Sequence, residues 1–242
     1  MQKIALIIPC YNESERLSSA FYFSLLDFLP ELSFFLINDR SNDHTLQKLS
    51  EMKLRYPERI NIISLSKRSG KAEAVRQGIL ASLKMNQFDY IGFKDADFSV
   101  SVEELIRLYK ILLISKKSCI VGSRIRKIGS QINRNEWRHF GGRVVGTIAG
   151  FITHLEVYDT QCGVKIFNRE LADQIFSEPF KTKWLFDIEI FSRIKTIYKN
   201  LFDVCIEEPL RRWDEVKGSK LKWFSFLRII RELYLLYKYY KN

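Results

Sequence analysis

Tyr90-Ile91-Gly92-Phe93-Lys94-Asp95-Ala96-Asp97 is a short apolar run that ends in two carboxylates spaced one residue apart. The run predicts a buried strand, and because side chains alternate faces in an extended chain, Asp95 and Asp97 point the same way at its C-terminal end. Open α/β sheets bind ligands at this end of their strands. Two carboxylates with open positions around them suit Mg²⁺ or Mn²⁺ carrying a diphosphate. The alternative is a simple strand-end turn or helix cap.

Four other apolar runs predict strands on either side of this one, at residues 4–8, 34–37, 60–65 and 119–122. One helical pattern begins near Ser14, and another follows a cap at Asn42 or Asp43. A third begins at Lys71 and continues to about Lys84. Strands that alternate with helices indicate right-handed crossovers. The predicted fold is therefore α/β, with a Rossmann-like, mostly parallel sheet flanked by helices and with the loops that follow the strands at one edge.

That edge also carries loop residues that could contact a nucleobase. A flat aromatic ring such as Tyr11, beside a carboxylate such as Glu13, can stack on a base and hydrogen-bond it. Asp39 directly follows an apolar strand and is predicted to contact uracil or another base. Asp43 is predicted to cap the next helix. Taken in isolation, Tyr11 and Glu13 would be ordinary loop residues.

The chain has 242 residues and a net charge of +11, which predicts one catalytic domain with an anionic partner. The positive residues concentrate in segments 122–143 and 211–241. Nucleic acid, a lipid surface and a phosphorylated substrate would all fit this charge. Because the sequence contains no recognised nucleic-acid-binding motif, we expect no nucleic-acid partner. A basic nucleic-acid-binding module remains the alternative from another class of protein.

The cysteines and the apolar segments indicate the compartment. The four cysteines are widely spaced and predict reduced thiols in a cytoplasmic protein. The N-terminus enters a strand at once and lacks the apolar region of a signal peptide. The uncharged apolar stretch 144–153 is too short to cross a bilayer. We expect a protein that is neither exported nor membrane-spanning.

Four ordered motifs resemble those of the inverting family 2 glycosyltransferases, which have the GT-A fold. They are Ile-Pro-Cys-Tyr-Asn-Glu at 8–13, Asn-Asp-Arg-Ser-Asn-Asp at 38–43, Gly-Lys-Ala-Glu-Ala-Val-Arg-Gln-Gly at 70–78 and Asp-Ala-Asp at 95–97. In the second motif, Asn38 and Arg40 replace an Asp and a Gly that the family usually has. The resemblance implies a metal ion, Mg²⁺ or Mn²⁺, held by Asp95 and Asp97. It also implies a nucleotide-sugar donor site formed by Pro9, Tyr11, Glu13, Asp39, Lys71, Asp95, Ala96, Asp97 and Lys220.

Beyond Gly122 the motifs resemble the branch of this family that glycosylates polyprenyl phosphates, including the dolichyl-phosphate β-glucosyltransferases. They lie at 122–124, 159–167, 184–189 and 215–220 and include a pair of arginines. The resemblance implies that UDP-glucose is the donor and that the acceptor phosphate is bound by Arg124, Arg134 and Arg138. A saccharide acceptor or GDP-mannose as donor stays open. The three arginines could also form a solvated basic face.

Asp187, at the start of a predicted amphipathic helix, has two alternative roles. Relatives with sugar acceptors use a carboxylate in this region as catalytic base. A phosphate monoester is already dianionic near neutral pH, with a second pKa of about 6, so Asp187 would then position an Arg or Lys instead. Lys220 is expected either on a lid over the donor diphosphate or in a flexible turn. The catalytic set that the resemblance implies is Asp95, Asp97, Arg124, Arg138 and Asp187.

Two units are predicted: a catalytic domain at residues 1–220 and an amphipathic, basic and aromatic C-terminal helix at residues 221–242. The apolar face of this helix is predicted to hold Trp223, Phe226, Leu227, Ile230, Leu233, Tyr234 and Tyr237. Its polar face is predicted to hold Arg228, Arg231, Glu232 and Lys238. The helix could pack on the domain, contact a second subunit in an oligomer, or lie on anionic lipid. Together with residues 142–155, it is the candidate peripheral contact with the cytoplasmic face of a membrane.

Overall fold

The structure, a computed structural model, describes residues 2–133, 147–148, 150–216 and 226–240. Its strands include β1 (Ile4–Cys10), β2 (Leu32–Asn38), β3 (Ile60–Ser64), β4 (Tyr90–Lys94), β5 (Cys119–Ser123), β6 (Gln131–Asn133), β7 (Val164–Asn168), β8 (Cys205–Pro209) and β9 (Arg212–Asp214). Its helices include α1 (Ser19–Phe28), α2 (Thr45–Arg55), α3 (Lys71–Lys84), α4 (Val102–Ser115), α5 (Arg169–Phe176), α6 (Phe186–Ile197), α7 (Leu201–Val204) and α8 (Phe226–Tyr240).

Seven of these strands form one sheet with the order β3-β2-β1-β4-β7-β5-β8. Strand β1 pairs in parallel with β2 and β4, β2 with β3, and β5 with β8. Strand β7 lies between β4 and β5 and is antiparallel to both. The predicted mostly parallel sheet flanked by helices is therefore confirmed, with one antiparallel strand near its middle. Strands β6 and β9 form a separate parallel pair.

The side chains of β1 show why this sheet is buried on both faces. Ala5 and Ile7 belong to an apolar layer that includes residues of α3, whereas Leu6 and Ile8 belong to the layer under α1 and α2. Helix α3 lies so close to β1 that a Cβ on its Gly78 would come within 2.6 Å of Ile7. This close packing places the first residues of α3 at the edge where β1 and β4 end.

Several element boundaries differ from the predicted boundaries. Strand β1 continues through Pro9, which pairs with Ile37 on β2. The helix predicted from near Ser14 begins at Ser19, so that boundary was wrong by a full turn. The predicted cap at Asp43 has a structural counterpart, because one of its carboxylate oxygens accepts hydrogen bonds from the backbone and hydroxyl of Thr45 at the first turn of α2.

The C-terminal helix is present as α8, and it packs on the domain. Glu232 and Leu236 are buried, and Glu232 accepts hydrogen bonds from the backbone N–H groups of Trp184 (2.9 Å) and Leu185 (2.8 Å), just before α6. Glu232, predicted on the polar face of the helix, is thus buried against the start of α6, where it satisfies two backbone donors. Ile230, Tyr234 and Tyr237, predicted on the apolar face, are exposed.

Within residues 2–133, 147–148, 150–216 and 226–240, no helix combines the length and the apolar composition that a membrane crossing requires.

Candidate active site

One cavity of about 1350 Å³ opens at the ends of β1, β2 and β4. It brings together ten of the predicted site residues from six separate segments of the chain. These are Pro9, Tyr11, Glu13, Asp39, Lys71, Asp95, Ala96, Asp97, Arg124 and Asp187. Arg134, Arg138 and Lys220 lie outside the described residues.

Asp39, at the end of β2, shapes the part of the cavity predicted to bind a base. Its two oxygens accept hydrogen bonds from the backbone N–H groups of Ser69 (2.6 Å) and Gly70 (2.8 Å). Gly70 has φ of +88°, a conformation that a residue with a side chain would adopt with strain. Asp39 therefore holds the loop that starts α3. The guanidinium of Arg68, on the same loop, lies 3.9 Å from the centre of the Tyr11 ring.

A second carboxylate, Glu13, positions an arginine that sequence reasoning missed. Arg16 donates to both oxygens of Glu13, at 2.8 Å from Nε and 2.7 Å from Nη2. The Arg16 guanidinium also lies 3.9 Å from Asp97. Burial lowers the pKa of Arg16, but the hydrogen bond with Glu13 and the negative charges of Glu13, Asp97 and Asp95 together raise it above its usual value. Arg16 is thus a fixed positive charge beside the second carboxylate of the Asp-Ala-Asp motif.

The Asp-Ala-Asp loop is held in place from beneath by Lys94, the last residue of β4. Lys94 is buried, and its ammonium donates hydrogen bonds to the backbone carbonyls of Asp95 (2.8 Å) and Asp97. Burial lowers the pKa of Lys94 to about 8. With its backbone fixed in this way, the loop presents both carboxylates to the cavity, as the spacing of the motif predicts.

The donor atoms of Asp95 and Asp97 fit a hard divalent cation. Both groups offer carboxylate oxygens, which Mg²⁺ and Mn²⁺ prefer. Among the described residues, no cluster of three or more His, Cys, Asp or Glu side chains could hold a metal ion by itself. Mg²⁺ is commonly bound by one or two carboxylates together with substrate phosphates. Asp97 Oδ1 accepts one further bond, from the backbone N–H of Ser99 at 3.2 Å.

A chain of alternating charges runs from the cavity into the core. The Lys71 ammonium lies 2.6 Å from Asp95 Oδ1 and 4.0 Å from Asp187 Oδ2. The other oxygen of Asp187 accepts a 2.5 Å hydrogen bond from Lys165, which is fully buried on β7 and also donates to the carbonyl of Cys162. Burial raises the pKa of Asp95, but Lys71 outweighs burial and lowers it. Each charge in this chain therefore has an opposite charge beside it.

Arg124 is held on another wall of the cavity by Asp159. Its backbone N–H, Nε and Nη2 donate to the two oxygens of Asp159 at 2.9, 2.7 and 2.8 Å. Asp159 is held in turn because Glu207 on β8 accepts the backbone N–H groups of Tyr158 (2.9 Å) and Asp159 (2.7 Å). Burial lowers the pKa of Arg124, but Asp159 outweighs burial and raises it above its ordinary value. Arg124 is a fixed cation, in contrast to the solvated basic face that was the alternative.

The charged residues of this site that were absent from the predicted set include Arg16, Asp159 and Lys165. Asp159 opens the motif at 159–167, and its place at the start of that motif was a usable signal. Lys165 stands within the apolar run of β7, and a lysine at such a position indicates a buried ionic partner. Arg16 follows Glu13 by three residues and gave no comparable signal.

The sequence resembles a protein-family model and several known proteins. The family model described as "Glycosyl transferase family 2" matches residues 5–176. A dolichyl-phosphate beta-glucosyltransferase of Saccharomyces cerevisiae is 34% identical, over 99% of this chain and 77% of that protein. Proteins of the same name from Dictyostelium discoideum and Homo sapiens are 29% and 26% identical and are covered over 69% and 74% of their length. The match covers nearly the whole chain of this protein.

Solved structures share the fold. The glucosyl-3-phosphoglycerate synthase of Mycobacterium tuberculosis, solved with Mn²⁺ and UDP-glucose, superposes with a TM-score of 0.68 at 17% identity, over 97% of this chain and 78% of that one. The same enzyme with Mn²⁺, UDP and phosphoglyceric acid gives the same TM-score. The expected GT-A fold is therefore confirmed. On the family model and the 34% identical relative, this chain belongs to glycosyl transferase family 2.

Proposed function

We propose that this enzyme transfers glucose from UDP-glucose to a dolichyl or other polyprenyl phosphate, with inversion at the anomeric carbon. The observation that carries this proposal is the pairing of two fixed features in one cavity. The Asp-Ala-Asp loop offers carboxylates for a metal-bound diphosphate, and Arg124 offers a fixed guanidinium for a second anion. The three dolichyl-phosphate beta-glucosyltransferases named above support glucose as the transferred sugar and dolichyl phosphate as the acceptor.

In this mechanism the residues of the chain mainly position and neutralise two anionic groups. A Mg²⁺ or Mn²⁺ ion bound by Asp95 and Asp97 would neutralise charge on the departing diphosphate. Arg124, with Arg134 and Arg138 as further proposed ligands, holds the acceptor phosphate in line with the anomeric carbon. The phosphate oxygen is already charged at neutral pH, so it attacks without a general base.

The role of Asp187 separates this proposal from transfer to a saccharide. One of its oxygens accepts the Lys165 hydrogen bond, and the other faces Lys71 at 4.0 Å. Both oxygens therefore already interact with ammonium groups, and neither is directed only toward an incoming hydroxyl. We assign Asp187 the positioning of Lys71. The base-catalysed alternative requires the same carboxylate to accept a proton during transfer.

Donor and acceptor assays test the proposal directly. Purified protein is incubated with a panel of UDP- and GDP-sugars, Mn²⁺ or Mg²⁺, and either short-chain polyprenyl phosphate or an oligosaccharide. We expect UDP-glucose and polyprenyl phosphate to give a β-linked product. Asp187→Asn should retain measurable turnover, and Arg124→Ala should raise the acceptor KM and lower kcat, with Arg55→Ala on α2 as the matched control. Transfer only to the saccharide, or loss of all transfer in an Asp187→Asn variant whose melting temperature shows that it is folded, would reject the lipid-phosphate acceptor.

We further propose that the enzyme contacts the cytoplasmic face of a membrane through the exposed side of α8. Ile230, Tyr234 and Tyr237 are exposed there. Arg228 and the exposed Phe151 both line the cavity, so this surface adjoins its opening. Aromatic and basic side chains together favour an interface with anionic lipid. The division into a catalytic domain at 1–220 and a separate helix at 221–242 is part of this proposal.

Point substitutions test this contact better than deletion of the helix, because deletion would also remove the buried Glu232. Tyr234→Ser with Tyr237→Ser should weaken binding to liposomes containing anionic lipid and leave UDP binding unchanged. Phe202→Ser, an exposed aromatic on α7, is the matched control. Equal liposome binding by the wild type and the α8 variant would refute the contact.

A further inference from the structure

The loop at residues 159–163 contacts two walls of the cavity. At its first residue, Asp159 holds Arg124 by three hydrogen bonds. At its last residue, the carbonyl of Gly163 accepts the backbone N–H of Asp95 at 3.0 Å. A Cβ at Gly163 would lie 2.3 Å from Asp95 Oδ2, so the backbone approaches that carboxylate closely. This loop therefore spans the distance between the proposed acceptor arginine and the proposed metal carboxylate.

Gln161 is the middle residue of this loop and also lines the cavity. Its side-chain Nε2 is buried, yet among the described residues it has no hydrogen-bond partner. A buried amide nitrogen that has lost water without gaining an acceptor is unfavourable, and folded proteins rarely retain one. At a ligand cavity, the simplest missing acceptor is an oxygen of the ligand.

We propose that Gln161 binds a hydroxyl group of the hexose being transferred, and this rests on the proposed function. During transfer the hexose must lie between the diphosphate that it leaves and the phosphate that it joins. Gln161 lies midway along a loop whose two ends contact Arg124 and Asp95, and it lines the same cavity. A side-chain amide carries both a donor and an acceptor, which matches a hydroxyl group. The cations Lys71 and Arg124 already serve the charged groups, so a neutral amide is suited to an uncharged partner.

The test combines a substitution with donor analogues that each lack one hydroxyl. Gln161→Met removes the amide and keeps a similar volume. We expect it to lower kcat/KM for UDP-glucose about 10-fold, the size of one lost hydrogen bond. The affinity for UDP, which carries no sugar, should be unchanged. One of the 2-, 3-, 4- and 6-deoxy analogues of UDP-glucose should be transferred about 10-fold more slowly than UDP-glucose by the wild type, but at an equal rate by Gln161→Met.

Two controls make the outcome specific. Gln47→Met changes an exposed glutamine that bonds Glu51 on α2, and it should leave all kinetic constants unchanged. Gln161→Asn keeps the amide donor on a side chain one carbon shorter, so it should retain more activity than Gln161→Met. It also provides a second variant if Gln161→Met fails to fold.

Several results would overturn the assignment. One is a loss of rate with the deoxy analogues that is the same in the wild type and in Gln161→Met. Another is a rise in acceptor KM with no change in selectivity among the donors. A third is a loss of UDP affinity in Gln161→Met as large as its loss of kcat/KM for UDP-glucose. The wild-type measurements separate this from failure of the proposed function. If the wild type transfers another hexose, or uses another acceptor, the proposed function is wrong, and the deoxy series of the sugar that is transferred still reports whether Gln161 contacts it.

Discussion

Two ion pairs face the same cavity but are built differently. Arg124 donates three hydrogen bonds to Asp159, with the two side chains 26% and 11% exposed. Lys71 makes one contact with Asp95, and these side chains are 35% and 40% exposed. A guanidinium fork has a fixed geometry, whereas an ammonium is a compact charge that changes partners readily. The first pair is thus arranged before any ligand binds, and the second can rearrange.

This difference suits the two proposed ligands. A divalent cation arriving with the donor must reach Asp95, and a single ammonium contact can give way to it. The acceptor phosphate instead needs a cation that keeps its position, which Asp159 and Glu207 provide for Arg124. A third pair, Lys165 with Asp187, is almost completely buried and serves as the reference for a pair with no ligand of its own.

Among the substitutions considered, we expect the largest loss of folding stability at the Lys165–Asp187 pair. Lys165→Met would leave the Asp187 carboxylate buried without its partner, which costs about 3–5 kcal/mol of unfolding free energy. Chemical denaturation measures this loss of unfolding free energy. The double variant Lys165→Met/Asp187→Leu should recover most of the loss, because it removes both charges. A single variant as stable as wild type would show that the pair contributes nothing.

The donor-side pair is tested next. Asp95→Asn, and likewise Asp97→Asn, should lower kcat/KM for UDP-glucose by about 10²–10³-fold, because charge on the leaving diphosphate would lose its stabilisation. Mn²⁺-dependent binding of UDP, measured by calorimetry, should be lost while the melting temperature changes little. Asp89→Asn, an exposed carboxylate at the start of β4, is the matched control. Full activity in either variant would exclude the metal role.

An Asp→Asn substitution in the acceptor-side pair should lower activity less than one in the donor-side pair, and it should affect only the kinetics of the acceptor. Asp159→Asn weakens the hold on Arg124, and losing one charged hydrogen bond costs about 1.5–3 kcal/mol, or roughly 10- to 150-fold in acceptor kcat/KM. UDP affinity should stay unchanged. If Asp159→Asn impaired UDP binding as strongly as Asp95→Asn does, the Arg124–Asp159 pair would not act on the acceptor alone.

The smallest effect concerns acid stability. Burial raises the pKa of Asp159, but the hydrogen bonds and positive charge of Arg124, with the charge of Lys165, together hold it below the ordinary value. A lowered pKa contributes stability above the unfolded value, near 4, and that stability is lost as the pH falls through the folded value. Arg124→Met should therefore move the acid unfolding midpoint to higher pH, followed by circular dichroism between pH 2 and 6. An unchanged midpoint would contradict this linkage.

Sequence alone predicted the parts of the site that depend on local pattern. The apolar runs of β1, β2 and β4 are continuous, so the residues after them, including Asp39 and Asp95, could be placed at one edge. Such reasoning requires only alternation and the parallel arrangement of strands. The residues predicted from these strand ends do line one cavity.

The partners of these residues could not be predicted, because they depend on contacts between distant segments. Lys165 meets Asp187 and Arg124 meets Asp159 only because β7 is inserted antiparallel between β4 and β5. The direction of a strand is set by its neighbours, and its own sequence does not report it. The burial of Glu232 on α8 could not be predicted for a related reason, since the two N–H groups that donate to it belong to another segment.

The hydrogen bonds from Trp184 and Leu185 to Glu232 have a consequence for the order of biosynthesis. Helix α6, which carries Asp187, is synthesised well before Glu232, the residue on α8 that accepts these two hydrogen bonds. Strands β1 to β4 can pair while translation continues, since chains fold from their N-terminal side as they emerge. We expect α6 to reach its final position only after Glu232 has left the ribosome. Nascent chains that stop before α8 should therefore hold a formed sheet around an incomplete site.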